Sequence, residues 1–117
     1  MRALLINGAV ISAVTLGEDT LASIQEHCQT NTVTGLGYPD AHHAAWADDE
    51  ILLRTPDDLV GTPINVYSWY GLEPVLGPVL ITGFDPETGD TTPATMLVST
   101  LAGQFKHFGL VTERMFK

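Results

Sequence analysis

Residues 46–90 limit the fold more than any other part of the chain. Short apolar runs alternate there with turn residues, and the order ends in a buried strand at residues 79–82 and a tight turn at residues 85–90. Pro86 and Gly89 suit that turn, because proline fixes φ and glycine adopts the left-handed conformation. Since none of these runs is a catalytic signature, we expect the chain to act by binding.

The N-terminal sequence predicts a β-hairpin followed by a helix. Residues 3–6 and 10–16 are rich in aliphatic side chains, and Asn7-Gly8 between them tolerates the positive φ of a tight turn. A central place in the sheet is expected for both strands. A helix is predicted over about residues 19–29, because apolar residues recur there on one helical face: Leu21, Ile24 and Cys28.

Residues 30–45 predict a long loop, because they are polar and show no sustained hydrophobic period. Short strands are expected at residues 44–47 and 51–54. Thr55 would then cap a helix that has Pro56 in its first turn.

Residues 94–108 carry the clearest helical pattern in the chain, with apolar residues at intervals of four, four and three: Leu97, Leu101, Phe105 and Phe108. Gly109 would end this helix. We therefore predict an α+β fold, in which a small mixed sheet starts with the N-terminal β-hairpin and packs against two main helices, at about residues 19–29 and 94–108.

Size and cysteine content define the expected class of protein. A chain of 117 residues supports one hydrophobic core, so residues 1–117 are predicted to form a single domain. Cys28 is the only cysteine, so no internal disulfide can form and a reducing, cytoplasmic compartment is expected. No apolar run approaches the roughly 20 residues that a membrane-spanning helix needs, so no membrane association is expected.

The charge is negative and unevenly distributed. Residues 3–105 contain thirteen Asp and Glu but a single basic residue, Arg54, within a chain whose net charge is −9. Such a surface repels a phosphate backbone, so direct nucleic-acid binding is not expected. The predicted partner is a protein with a basic surface, and self-association is left open.

No catalytic, metal-binding or cofactor-binding residue is predicted. His42 and His43 contain donor atoms that zinc accepts, but adjacent side chains point apart on a helix or strand and no zinc-binding spacing is present. Asp85, Glu87 and Asp90 cluster without the spacing of a calcium loop, so a turn is the better interpretation.

Aromatic and acidic residues are predicted to bind the partner instead. Trp and Tyr surrounded by carboxylates have the composition of a protein-binding hot spot, although a core position is the competing interpretation for at least one face of the aromatic strand. The predicted partner-binding residues are Tyr67, Trp69, Tyr70, Asp48, Asp49, Glu50, Asp57, Asp58, Tyr38, His42 and His43.

The order of these segments resembles a family of short proteins known as domain of unknown function 3846. The resemblance rests on Asp49-Glu50, residues 61–65 and residues 77–83, and it extends over most of the chain. Members of that family are carried largely by phages, plasmids and related mobile elements. The resemblance implies no catalytic residues.

Two functions of different classes follow as hypotheses. The first is a small acidic accessory protein of a phage or other mobile element that binds and modulates a host protein, in one version as a counter-defence protein or a DNA mimic. The alternative is a small-molecule or nucleotide-binding protein, or a minor enzyme, with a pocket near the loop at residues 38–43.

Overall fold

The computed structural model describes residues 1–116, together with their side chains except those of Leu52 and Phe116. The chain order of the elements is β1 (Arg2–Asn7), β2 (Val10–Thr15), α1 (Thr20–His27), β3 (Val33–Asp40), β4 (His43–Asp48), α2 (Pro56–Leu59), β5 (Pro63–Tyr67), β6 (Val75–Leu76), β7 (Val79–Phe84), β8 (Thr91–Thr92), α3 (Val98–Ala102) and β9 (Phe105–Leu110), with single 3-10 turns at Ile51–Leu53 and Glu113–Phe116.

Two antiparallel sheets form the framework. The larger sheet has the order β2-β1-β7-β4-β3, and the short strand β8 pairs with the end of β7. The smaller sheet has the order β6-β5-β9. β7 is central and buried along Val79–Gly83, because both faces of the larger sheet are covered at that strand.

Along the strands of the larger sheet, successive side chains point to opposite faces and fill two separate cores. Ile6, Val79 and Ile81 point from the larger sheet toward Tyr67 of the smaller sheet and Leu101 of α3. On the opposite face, Leu80 of β7 packs with residues of α1 and its flanks, such as Ile24 and Cys28. The period of two along each strand therefore places the larger sheet between α1 and the smaller sheet.

The predicted α+β class is wrong. The protein is mostly β, with 41% of residues in strands and 19% in helices among those described, and α1 is the one helix of seven or more residues in that part of the chain. Every strand pair described in the two sheets is antiparallel. The prediction is instead a mixed sheet packed against two main helices.

The helix predicted at 94–108 is replaced by three different structures. Residues 93–97 are irregular, α3 spans five residues, and the chain then becomes strand β9. Gly103 and Gln104 end the helix: Gly103 lies at its C-terminus and the N–H of Gln104 closes the final turn on Leu101. Pairing of β9 with β5 then satisfies the backbone, so long-range pairing overrides the local helical period.

The loop predicted over residues 30–45 is also wrong, because β3 and the first half of β4 lie there. The pairing of β3 with β4 shifts register near Gly37, and such bulges break the alternation from which a strand is predicted. A further difference concerns β2, which lies at the edge of the larger sheet rather than at its centre.

Several local predictions are confirmed. The N-terminal hairpin forms, although its turn residues are Gly8 and Ala9 rather than Asn7 and Gly8. α1 lies within the predicted range 19–29 and has Asp19 as its cap. Thr55 and Asp58 form the predicted capping box of α2. These features depend on residues that are neighbours in sequence.

Candidate functional site

The β3–β4 hairpin turns on Asp40. Its Oδ1 accepts hydrogen bonds from the N–H of His42 and from Nδ1 of His43, both at 2.8 Å. Burial works to raise the pKa of the Asp40 carboxyl, but the bonds from these two histidines outweigh it and hold the pKa below its usual value. The ionised carboxylate is therefore part of the turn.

His43 is a buried structural bridge. Its Nε2 accepts hydrogen bonds from the N–H groups of Thr95, at 3.0 Å, and Met96, at 3.1 Å. A nitrogen that accepts in this way carries no proton, so Nδ1 holds the proton that is donated to Asp40. Nδ1 thus bonds within the hairpin, to Asp40, while Nε2 fastens the hairpin to residues 93–97.

An aromatic groove opens over β3, β4 and β7, on the face of the larger sheet that also carries α1. Its volume is about 400 Å³, and its lining includes Gly35, Tyr38, Ala44, Trp46, Phe84, Gly89 and Thr91. Gly35 and Ala44 form a low floor, since a Cβ placed on Gly35 would meet no atom within 4 Å. Small residues between large aromatic ones are what make the depression.

Each aromatic wall of the groove is fixed by a contact. Tyr38 packs on Phe84 with ring centroids 5.2 Å apart and an interplanar angle of 44°. Trp46 donates from Nε1 to Oγ1 of the buried Thr82 at 2.9 Å. Tyr38 is nevertheless 60% exposed, so its ring remains accessible to a partner.

Carboxylates dominate the surroundings of the groove. Phe84 also borders a second cleft, of about 460 Å³, whose lining includes His42, Asp85 and Glu87. Asp90 lies in sequence between the groove residues Gly89 and Thr91. The turn at residues 85–90 is held by its own hydrogen bonds, in which the N–H groups of Glu87 and Gly89 donate to Asp85.

Few basic side chains are available to neutralise these carboxylates, because the arginines nearest to them already make other contacts. Arg2 donates from Nη1 to the carbonyl oxygens of Ala94 and Met96, each at 2.9 Å. Arg54 lies at the other end of β4 and pairs with Asp48 at 2.8 Å. The negative charge around the groove is therefore left without a neighbouring guanidinium among the described contacts.

The predicted aromatic residues 67, 69 and 70 lie mainly inside the protein. Tyr67 is fully buried, stacks with Trp69 at 4.8 Å and Phe105 at 5.9 Å, and has its pKa raised by burial despite the polar contact with Asn65. Trp69 is half-buried and packs near Gly37. Tyr70 alone of the three is classed as exposed, at 38%.

The predicted acidic residues lie at the opposite end of β4 from Tyr38, His42 and His43. β4 spans six residues, which separates its ends by roughly 17 Å. Asp48 is buried, whereas four others are exposed: Asp49, Glu50, Asp57 and Asp58. The eleven predicted residues therefore form no single surface, and a role for any of them in partner binding stays a prediction.

Trp46, Phe84 and Gly35 were missed as site residues. Trp46 and Ala44 lie in the short strand predicted at residues 44–47, but the sequence before it predicts a loop and therefore no neighbouring strand. No local sequence pattern marks Gly35 and Phe84 as site residues, because they become neighbours only when β3, β4 and β7 pair.

Comparison of the chain with models of protein families, with curated proteins and with solved structures found no match. The resemblance to domain of unknown function 3846 stays a prediction.

Among the side chains that the structure describes, no three His, Cys, Asp or Glu residues come together as a metal site would require. No helix in residues 1–116 is both long and apolar enough to cross a bilayer.

Proposed function

We propose that the protein is a binding module that docks on a basic surface of a partner protein and takes one Arg or Lys side chain of that partner into the aromatic groove. The observation that carries this proposal is the arrangement of Tyr38, Trp46 and Phe84 around a floor of small residues, beside the carboxylates of the β7–β8 turn.

The chemistry of the groove favours a cationic side chain. A guanidinium or ammonium over an aromatic face gains about 0.5–1 kcal/mol at exposed sites and about 2 kcal/mol when desolvated. The apolar stem of Arg or Lys packs on the same rings while its charged end stays near the rim. Asp85, Glu87 and Asp90 would attract such a group and raise the association rate.

A partner that presents separate basic side chains is favoured over the DNA-mimic version of the hypothesis. B-DNA has one charge per roughly 1.7 Å along its axis. Here the exposed carboxylates of residues 85–90 and of residues 49–58 lie toward opposite ends of β4, so they supply no comparable row of charge. The origin of the chain in a mobile element and the host source of its partner stay predictions.

Binding is tested with an arginine-containing peptide and with the same peptide carrying citrulline at each Arg position. Citrulline keeps the shape of the side chain and removes its charge. We expect the arginine peptide to shift the amide NMR signals of Tyr38, Trp46 and Phe84, and the citrulline peptide to bind at least tenfold more weakly, which corresponds to about 1.4 kcal/mol. Equal binding of the two peptides would contradict a cationic ligand.

The location is tested by Gly35→Val. Gly35 has an ordinary φ and open space above it, so valine fits the strand and fills the floor of the groove. Thr34→Val is the matched control, because residue 34 lies next in the same strand and points to the other face. Binding should be lost in Gly35→Val and kept in Thr34→Val; a Gly35→Val protein that binds normally would exclude the groove.

The volume of the groove also favours the alternative of a small-molecule ligand, because drug-sized pockets measure about 300–1,000 Å³. Thermal denaturation with a panel of nucleotides and neutral aromatic compounds tests this second candidate. A compound at about 100 times its Kd would stabilise the fold by roughly 2.7 kcal/mol. Stabilisation of the wild type by a neutral compound, absent in Gly35→Val, would favour this function over protein binding.

A further inference from the structure

The two edges of the larger sheet differ in how they are protected from pairing with another strand. β3 at one edge has two register shifts, and it contains Pro39 and Asp40. β2 at the other edge pairs with β1 without any register shift, and its sequence VISAVT has no charge and no proline. Natural edge strands usually carry such protective features. Because β2 lacks them, this edge is open to pairing with another strand.

The hairpin geometry identifies which backbone groups of β2 are free. Gly8 has φ of +64° at the first turn position, and the two-residue turn is closed by the pair Asn7 and Val10. At the far end, the N–H of Leu16 donates to Met1 O at 2.8 Å. Hydrogen-bonded positions alternate in an antiparallel pair, so even residues of β2 bond to β1. The N–H and C=O groups of Ile11, Ala13 and Thr15 point outward.

We propose that β2 is the dimerisation edge of this protein, where a second copy of the chain adds its own β2 in the antiparallel direction across a two-fold axis at Ala13. Ile11 then pairs with Thr15 of the other copy, and Ala13 pairs with its own equivalent. This register satisfies all the outward groups of both strands with about six hydrogen bonds. It also joins the two larger sheets edge to edge with like faces on the same side.

A second copy fits this edge for three reasons. The outward groups are symmetric about Ala13, as the self-complementary interface of a two-fold dimer requires. The small side chain on the axis leaves room for its equivalent. Each copy has a net charge of −9, and an uncharged strand keeps those charges out of the contact. The same register places Val10, which is 65% exposed, across from Leu16 of the other copy.

Dimerisation would leave the aromatic grooves free, because β2 and β3 lie at opposite edges of the larger sheet. The interface therefore does not depend on the function proposed for the groove, and failure of one proposal leaves the other standing.

The decisive variant is Ala13→Pro. Proline at this position removes an outward N–H and keeps the hydrogen bonds from β2 to β1, so the fold tolerates it at an edge. Ala13→Val retains the N–H and is the matched control. In sedimentation velocity, we expect the wild type and Ala13→Val to dimerise with increasing concentration and Ala13→Pro to remain monomeric with an unchanged circular dichroism spectrum. A folded Ala13→Pro dimer, or a wild type that stays monomeric throughout, would overturn the proposal.

Cross-linking supplies a test that does not depend on whether Ala13→Pro folds. Residues in a hydrogen-bonded antiparallel pair have Cα atoms about 5.5 Å apart, within reach of a disulfide. Ala13→Cys should form a disulfide-linked dimer on mild oxidation, whereas Ala41→Cys, at the exposed hairpin tip, should not. Cys28 does not interfere, because it is buried and its thiol pKa is raised to about 12. Equal cross-linking of both variants would mean random collision and would reject the interface.

Salt dependence gives an independent readout. Two copies with like net charge repel at long range, and salt screens that repulsion. Raising NaCl should therefore tighten the dimer. Dissociation of the dimer by salt would indicate an ion-paired interface elsewhere and would contradict pairing through β2.

Discussion

His43 joins the β3–β4 hairpin to residues 93–97 through Nε2, while Nδ1 bonds to Asp40 within the hairpin. The N–H of Met96 is buried in this contact, so removal of the acceptor leaves it without a partner. An unsatisfied buried donor costs about 1–3 kcal/mol. We expect His43→Leu to lower the free energy of unfolding by about 2 kcal/mol in urea denaturation.

The neighbouring histidine provides the control. His42 is exposed and its ring makes no hydrogen bond among the described contacts, so His42→Leu should change stability by less than about 0.5 kcal/mol. Similar losses for the two variants would contradict the structural role of His43. The sequence shows two adjacent histidines, and only the contact with a segment some fifty residues away distinguishes them.

Asp40 makes the hairpin sensitive to acid. Its pKa in the folded protein is below the unfolded value of about 4, so its ionised form stabilises the fold above about pH 4 and that contribution is lost as the pH falls through the folded pKa. Asn in its place can accept the same two hydrogen bonds but carries no charge. The stability difference between wild type and Asp40→Asn should be present at neutral pH and shrink below about pH 4. Urea midpoints measured across this range check the prediction, and a difference that is independent of pH would oppose it.

At the scale of elements, Phe105 and Phe108 distinguish strand β9 from the helix that their spacing predicts. In a helix over residues 94–108 both rings would share the apolar face with Leu101. In the structure the half-buried Phe105 stacks on the buried Tyr67, whereas Phe108 is 64% exposed. We expect Phe105→Ala to destabilise the protein by about 2 kcal/mol and Phe108→Ala by less than about 0.5 kcal/mol in urea denaturation. Comparable losses at the two positions would support the helix.

The elements that could be predicted from sequence are those determined by near neighbours. They are Gly8 in the N-terminal turn, the capping residues Thr55 and Asp58, and the turn at residues 85–90. β3 and β9 could not be predicted, since bulges near Gly37 and between the partners of Ile64 and Asn65 interrupt their alternation. The spacing of apolar residues in 97–108 favours a helix, but pairing with β5 makes residues 105–110 a strand.

The candidate site was predictable only in part for the same reason. Tyr38, His42 and His43 are among the predicted contact residues, and they lie at the end of the sheet that carries the groove. Trp46, Phe84 and Gly35 become neighbours through pairing of β3, β4 and β7, which no short segment specifies. Aromatic content alone directed attention to Tyr67, which fills the core.

For the whole molecule, the excess of carboxylates opposes folding as well as attracting a basic partner. The net charge is −9, and one Arg–carboxylate bridge, Arg54 to Asp48, is present among the described residues. Compaction brings like charges together, and a Debye length of about 8 Å at about 0.15 M salt screens much of their repulsion.

Added NaCl should therefore stabilise the monomer. The Ala13→Pro variant is the suitable protein, because any dimer formed through β2 would add its own salt dependence. We expect its urea midpoint to rise between about 0.02 M and about 0.15 M NaCl and then to level as screening saturates. The arginine peptide should show the opposite trend, with binding that weakens over the same range, because its attraction to residues 85–90 is screened by the same ions. A fall in stability with salt would contradict the expected stabilisation, because it would mean that favourable ion pairs such as Arg54–Asp48 outweigh the repulsion.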